Sequence, residues 1–240
     1  MYSRLIFLDL DNTLSRGTDT PIESEVLEYL LEYEQRGWGV VICSGRPHYY
    51  LCGLARQLPL SNQILIGENG LTIHMGKDLP SADYYHLSVD EEVLDILDDL
   101  RSQVRQKLRS GEWSHADVWI QPNESAVTFF FGNSVEGREL LREFLTAYTV
   151  NWCDKIDLIE HDNCFDVLPH GFNKGVGIKF LIEKLGISTS QTVAVGDGPN
   201  DQEMFDAVGY AISLSPGKHQ GVDFETDDIL QALRHIAALG

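Results

Sequence analysis

Leu5-Ile6-Phe7-Leu8-Asp9-Leu10-Asp11-Asn12-Thr13-Leu14 is the stretch from which the architecture follows. Four apolar residues stop abruptly at two carboxylates, two residues apart. A short apolar run bounded by polar turn residues predicts a fully buried parallel strand. The chain leaves such a strand at the carboxyl edge of the sheet, where open α/β folds bind their ligands. Asp9 and Asp11 are therefore expected in a cleft. An ionised carboxylate in a partly dry cleft is costly unless a cation or a donor meets it. A hard cation such as Mg²⁺ takes oxygen ligands and keeps positions for a phosphate. Taken alone, the stretch has two readings: a site for phosphoryl chemistry, or an acidic turn of the kind that ends many strands.

Further apolar runs end in the same manner. Val40-Val41-Ile42-Cys43 leads into Ser44-Gly45-Arg46-Pro47. A serine hydroxyl can donate to a phosphate oxygen, and glycine lets the backbone approach an anion. Residues 46–58 read as a helix whose N-terminal N–H groups would face the same place; the plainer reading is a strand, a Ser cap and a helix. Gln191–Val195 leads into Gly196-Asp197-Gly198-Pro199-Asn200-Asp201. Asp197 directly follows the strand and is assigned as a metal ligand. Asp201 falls where a following helix wants an acidic first turn, and is assigned an orienting role beside the metal. Asn173-Lys174-Gly175 opens a helix to about Leu185. A lysine in a first turn opposes the macrodipole, so Lys174 is either a solvated surface residue or an ammonium directed into an acidic, phosphate-binding site.

These four segments, in this order and spacing, resemble the four motifs of the haloacid dehalogenase superfamily, and the last resembles its Cof-type branch of small-molecule phosphatases. Glu68-Asn69-Gly70 resembles a further turn of that branch. The match covers about residues 1–75 and 165–215. Asn12 stands where glycine is commoner, and Asn tolerates tight-turn geometry. The resemblance implies an α/β fold, a Rossmann-like parallel-sheet core with an inserted α+β cap. Its boundaries are expected at 1–80 plus 166–240 for the core and 81–165 for the cap.

Composition narrows the function. The 240 residues are 43% hydrophobic, enough for a proper core, and carry a net charge of −19. That charge argues against nucleic acid and anionic membrane surfaces, but a bound cation with local Lys and Arg leaves room for a small phosphorylated substrate. Cys43, Cys52, Cys153 and Cys164 form no metal-binding pattern. The first core strand begins almost at Met1, and no apolar stretch reaches membrane-spanning length. The expectation is a cytoplasmic protein, monomeric or a small homo-oligomer.

Residues 20–36 read as a helix with a capping box over Thr20-Pro21-Ile22-Glu23. The middle of the chain changes character. Helices over about 90–109 and 135–148 alternate with short strands at 84–87, 118–121, 126–131, 156–160 and 164–167, and residues 121–125 form a hairpin turn. Trp119, Phe129 and Phe131 fit the module's own core by their alternation; a sugar-facing surface is the other reading. His161-Asp162-Asn163 is a polar turn, facing a cleft or closing an ordinary hairpin. His219 and His235 receive no role.

What the resemblance implies for mechanism is a Mg²⁺-dependent phosphatase acting on a small phosphorylated metabolite, of the sugar-phosphate or phosphoglycolate type. Asp9 would be the nucleophile that forms an aspartyl-phosphate, and Asp11 the acid and base. Asp9, Asp11 (through its carbonyl), Asp197 and Asp201 would surround the metal. Ser44, Gly45, Arg46, Lys174 and Asn200 would bind the phosphoryl group. A phosphotransferase or mutase, and a non-catalytic binding module on the same fold, are the alternatives; retention of both Asp9 and Asp11 favours chemistry.

Overall fold

The computed structural model describes residues 2–18, 20–76 and 83–239. The chain forms two compact units, one from both chain ends, up to His86 and from Asn173, the other from Leu87–Phe172. In chain order the first unit contributes β1 (Arg4–Leu8), α1 (Ser24–Gln35), β2 (Trp38–Cys43), α2 (His48–Ala55), β3 (Ile64–Gly67), β4 (Thr72–Met75) and β5 (Asp83–His86). The second unit is α3 (Glu91–Ser110), β6 (Trp119–Gln121), β7 (Val127–Phe130), α4 (Val135–Thr149), β8 (Ile156–Glu160) and β9 (Cys164–Pro169). The first unit resumes with α5 (Lys174–Leu185), β10 (Thr192–Gly196), α6 (Gln202–Phe205), β11 (Tyr210–Ser213), β12 (Phe224–Glu225) and α7 (Ile229–Ala238).

The first unit is an eight-stranded sheet in the order β12-β11-β10-β1-β2-β3-β4-β5. Pairings from β12 to β3 are parallel, and at one edge β4 pairs antiparallel with both β3 and β5. Leu5, Ile6, Phe7 and Leu8 are completely buried, as a strand covered on both faces requires. Chain order reverses at β1, with β2 on one side and β10 on the other, so the crevice at the carboxyl end of β1 is a topological switch point. On the helical side Tyr33 of α1 stacks on Trp38 at 5.1 Å and belongs to the same buried cluster as Leu233 and Ile236 of α7.

Several local expectations are corrected. The capping box at Thr20 does not form: α1 starts at Ser24, and Glu23 has no side-chain cap bond. Its carboxylate is held by Arg16 at 2.6 Å instead of reaching back to Thr20. Helix α2 is shorter than 46–58, because Arg46 precedes an extended Pro47. Its far end is closed by Gln63, whose Nε2 donates to the Ala55 carbonyl at 2.7 Å. The strand expected at 84–87 is β5; it belongs to the large sheet, where Tyr84 sits opposite His74. The proposed boundary at 80/81 lies outside the described residues. That at 165/166 falls within β9, which runs to Pro169.

The second unit is an antiparallel sheet, β6-β7-β9-β8, with α3 and α4 on one face. Val93, Leu97, Leu100 and Val104 of α3 and Leu141 and Leu145 of α4 bury against Val127, Phe129, Phe165 and Val167. Ser134 caps α4 by accepting from the Gly137 amide at 3.0 Å. Phe129 and Phe131 are core, as their alternation predicts. Trp119 is not: it is 46% exposed and stacks on Phe130 with ring centres 5.2 Å apart. Residues 161–163 form the turn of the β8–β9 hairpin, closed by the His161 amide donating to the Cys164 carbonyl at 2.8 Å. Among the described residues no helix is long and apolar enough to cross a membrane.

Candidate active site

The site is built at the carboxyl ends of β1, β2 and β10. Asp9 continues the ladder one step past β1, its amide donating to the Val195 carbonyl at 3.0 Å. The chain then turns tightly. The Leu14 amide reaches back to the Asp9 carbonyl at 3.3 Å and that of Ser15 to Leu10 at 2.9 Å. Asn12 takes φ +62° in this turn, a left-handed conformation that Asn accepts better than most residues.

Lys174 is the hub. Its Nζ lies 2.6 Å from Oδ1 of Asp9 and 2.6 Å from Oδ1 of Asp201. At 1% exposure it is no solvated surface lysine, and its ammonium lies between two carboxylates. Asn173 caps α5 by accepting from the Val176 amide at 3.1 Å, which fixes where Lys174 begins. Gly70, at φ +103°, packs so closely under this cap that a Cβ there would meet the Asn173 carbonyl at 2.2 Å. The Glu68-Asn69-Gly70 turn thus seats the start of α5.

Both oxygens of Asp201 are taken. Oδ1 faces Lys174, and Oδ2 accepts from the amides of Asp197 and Gly198, each at 2.9 Å. The carboxylate packs so tightly on Gly196 that a Cβ there would lie 2.4 Å from Oδ2. Asp201 therefore orients the lysine and the loop that carries Asp197. Two residues given no part in the sequence reading join here. Thr13 Oγ1 donates to Asp197 Oδ1 at 2.9 Å. His219 donates from Nε2 to the Gly198 carbonyl at 2.9 Å, while Nδ1 faces Ser213 Oγ at 2.7 Å. Thr13 is two residues beyond Asp11, so its place in the turn was a readable signal; His219 offered none.

Ser44 is buried, and its Oγ accepts from the Arg46 amide at 3.2 Å. Asn200 Nδ2 donates to Asn69 Oδ1 at 2.9 Å, and a Cβ at Gly45 would sit 3.1 Å from Nδ2 of the Asn69 side chain. Gly45, Asn69 and Asn200 are thereby gathered together. Arg46, expected on the phosphoryl group, forks onto Asp11: Nε to Oδ2 at 2.9 Å and Nη2 to Oδ1 at 3.1 Å. Its guanidinium lies over Tyr50, 5.2 Å from the ring centre.

The acidic side chains of the site are largely buried and crowded together. Ligand oxygens of Asp9, Asp197 and Asp201 lie within 4.8 Å of one another, with a single ammonium between them. Burial pushes the Asp9 carboxyl up to about 8; Lys174 opposes the rise and the Asp201 and Asp197 carboxylates add to it. Burial and Asp201 likewise raise Asp197, against the Thr13 hydrogen bond. Burial works against the Lys174 ammonium, but Asp201 and Asp9 outweigh it and hold the pKa well above the ordinary value. Oδ2 of Asp9 and Oδ2 of Asp197 have no hydrogen-bond donor among the described residues. An all-oxygen, over-negative donor set of this kind fits a hard divalent cation such as Mg²⁺.

Comparison with known proteins identifies the family. Residues 2–237 match the sucrose-6F-phosphate phosphohydrolase family. A phosphoglycolate phosphatase of Halobacterium salinarum is 27% identical over 218 residues, which span 89% of this chain and 86% of that protein. A putative phosphatase of Bacillus subtilis, YkrA, is 26% identical over 263 residues and covers 100% of both chains. A haloacid dehalogenase-like hydrolase from Bacteroides thetaiotaomicron superposes with a TM-score of 0.73 at 20% identity, over 98% of this chain and 100% of that one. The chain belongs to the sucrose-6F-phosphate phosphohydrolase family, among the haloacid dehalogenase-like hydrolases, and is a phosphatase.

Proposed function

We propose that the protein is a Mg²⁺-dependent phosphomonoesterase that hydrolyses a small phosphorylated metabolite through an aspartyl-phosphate on Asp9. The observation that carries this reading is the buried Asp9–Lys174–Asp201 array, with 2.6 Å contacts on either side of the ammonium. It holds Oδ1 of Asp9 and leaves Oδ2 for attack.

In the first step Asp9 Oδ2 bonds to phosphorus while the bond to the leaving oxygen breaks. Asp11 gives that oxygen its proton. In the second step Asp11 takes a proton from water, the water oxygen bonds to phosphorus, and the bond to Asp9 breaks. Ser44 accepts the Arg46 amide at its Oγ, so its own O–H is available to donate to a phosphoryl oxygen. Asn200 and the backbone at Gly45 line the same position, Arg46 adds positive charge beside it, and Lys174 screens the nucleophile. The metal would be held by Asp9 and Asp197, with the Asp11 carbonyl beside them and Asp201 bracing Lys174, and when bound it offsets charge on the phosphoryl oxygens.

The substrate is a sugar phosphate or a phosphoglycolate-like compound. The matched family supports the first and the Halobacterium salinarum relative the second. The four cysteines are free thiols, which supports a reducing, cytoplasmic setting.

The test is phosphate release from a panel of sugar phosphates and phosphoglycolate, with Mg²⁺ and with EDTA, alongside Asp9→Asn. Metal-dependent release from a panel member, lost in the variant, is the expected result. Hydroxylamine should also trap an acyl phosphate in the wild type. Near-wild-type turnover by Asp9→Asn would overturn the mechanism. Product formation only when an acceptor alcohol is added would make the enzyme a phosphotransferase.

A further inference from the structure

The hairpin of β8 and β9 carries a second set of metal-binding side chains, wholly within the second unit. His161 sits in the turn. Cys164 and Asp166, two residues apart on β9, leave the same face of the sheet, while Phe165 between them enters the helix-covered core. One ligand atom from each of His161, Cys164 and Asp166 lies within 4.8 Å of the other two. Nε2 of His161 is 3.1 Å from Oδ2 of Asp166, and Cys164 and Asp166 are buried.

The carboxylate is oriented from the neighbouring strand. Thr128 stands opposite Asp166 in the β7–β9 register, and its Oγ1 donates to Oδ1 at 2.6 Å. That contact turns Oδ2 toward the imidazole. Asn123 extends the network, Nδ2 donating to Thr128 Oγ1 at 3.3 Å. The oxygen of the same amide is buried and has no hydrogen-bond partner among the described residues, although Asn123 is only 9% exposed. An orphaned buried acceptor is costly and uncommon in native proteins, so it signals a bound group that brings a donor.

We propose that His161, Cys164 and Asp166 form a Zn²⁺ site whose fourth position is filled by a water that donates to Asn123 Oδ1. An imidazole nitrogen, a thiolate and a carboxylate suit a borderline cation, and three protein ligands plus water complete its tetrahedron. The oxygen ligands of Asp9 and Asp197 suit a hard cation instead, so the two sites differ in the metal they select. On binding, the Cys164 thiol releases its proton to solvent, which makes zinc uptake weaken as pH falls. Thr128 acts through Asp166 as a positioning residue.

The experiment uses Co²⁺ as a coloured substitute for Zn²⁺, titrated into the whole protein with Mg²⁺ in large excess to occupy the oxygen site. A sulfur-to-cobalt charge-transfer band should saturate at a single cobalt per chain and vanish when Zn²⁺ displaces it. The band should be lost in Cys164→Ser and in His161→Gln, and kept in Cys153→Ser. Thr128→Val should keep the band but weaken binding by roughly 10–100-fold. No thiolate band in the wild type, or a band that survives Cys164→Ser, overturns the proposal. If Cys164→Ser fails to fold, His161→Gln decides by the same criterion.

Discussion

Arg46 grips both carboxylate oxygens of Asp11, with Nε on Oδ2 at 2.9 Å and Nη2 on Oδ1 at 3.1 Å. A forked pair fixes the plane of a carboxylate as well as its position, which lysine cannot do. Asp11 is the proposed acid and base, so its aim is set by a residue of the second strand end. A hydrogen bond to a charged group contributes about 1.5–3 kcal/mol. Arg46→Gln is therefore expected to lower kcat by about tenfold or more. In Asp11→Asn the arginine has nothing left to aim, so adding Arg46→Gln to it should cost little further. Fully additive losses in the double variant would show that Arg46 acts on the phosphoryl group independently of Asp11.

Asp11→Asn itself should slow both chemical steps, by roughly 10²–10⁴-fold, the usual worth of a positioned acid or base. The amide is isosteric and still offers an oxygen to Arg46, so the fold should be unaffected. Steady-state turnover with an unchanged circular-dichroism melt is the check. Undiminished turnover would remove the assignment.

Lys174 carries structural weight in addition to its proposed role. Lys174→Met would leave Asp9 and Asp201 buried beside each other without their shared cation. Breaking a buried ion pair by removing one partner costs about 3–5 kcal/mol. Chemical unfolding should show this loss in the transition that carries the large sheet, with the second unit's transition unmoved, since its core is separate. A variant with unchanged stability would mean that the two carboxylates are neutralised some other way.

Much of this arrangement was legible because it is local. A strand-length apolar run followed by a carboxylate fixes which end of the sheet the side chain leaves, and Asp9 and Asp197 needed nothing more. The fate of Lys174 was not decidable locally, because its burial depends on partners 165 and 27 residues away. The Thr13 bond to Asp197 spans 184 residues, and its existence follows from β1 pairing with β10. The sequence pattern puts a strand at 84–87 in the middle module, because pattern alone cannot say which sheet a short strand joins. Backbone pairing with β4 decides it. His219 is polar and isolated in sequence, and only the fold brings it under Gly198.

Thr13 offers a test of the metal site that spares every proposed ligand. Its hydroxyl donates to Oδ1 of Asp197 and so fixes the carboxylate that is proposed to hold the cation. Thr13→Val removes the donor while keeping a β-branched side chain of similar size in a buried position. Partners that orient a metal ligand typically contribute 10–100-fold in affinity. The Mg²⁺ concentration for half-maximal activity should rise by roughly that factor, and turnover at saturating Mg²⁺ should recover most of its wild-type value. The same shift should appear without any substrate. Mg²⁺ at 100 times its dissociation constant stabilises the native state by about 2.7 kcal/mol, so the wild-type melting temperature should rise with Mg²⁺ and the variant should need more metal for the same rise. A variant whose activation by Mg²⁺ and whose melting curve both match the wild type would place the metal away from Asp197.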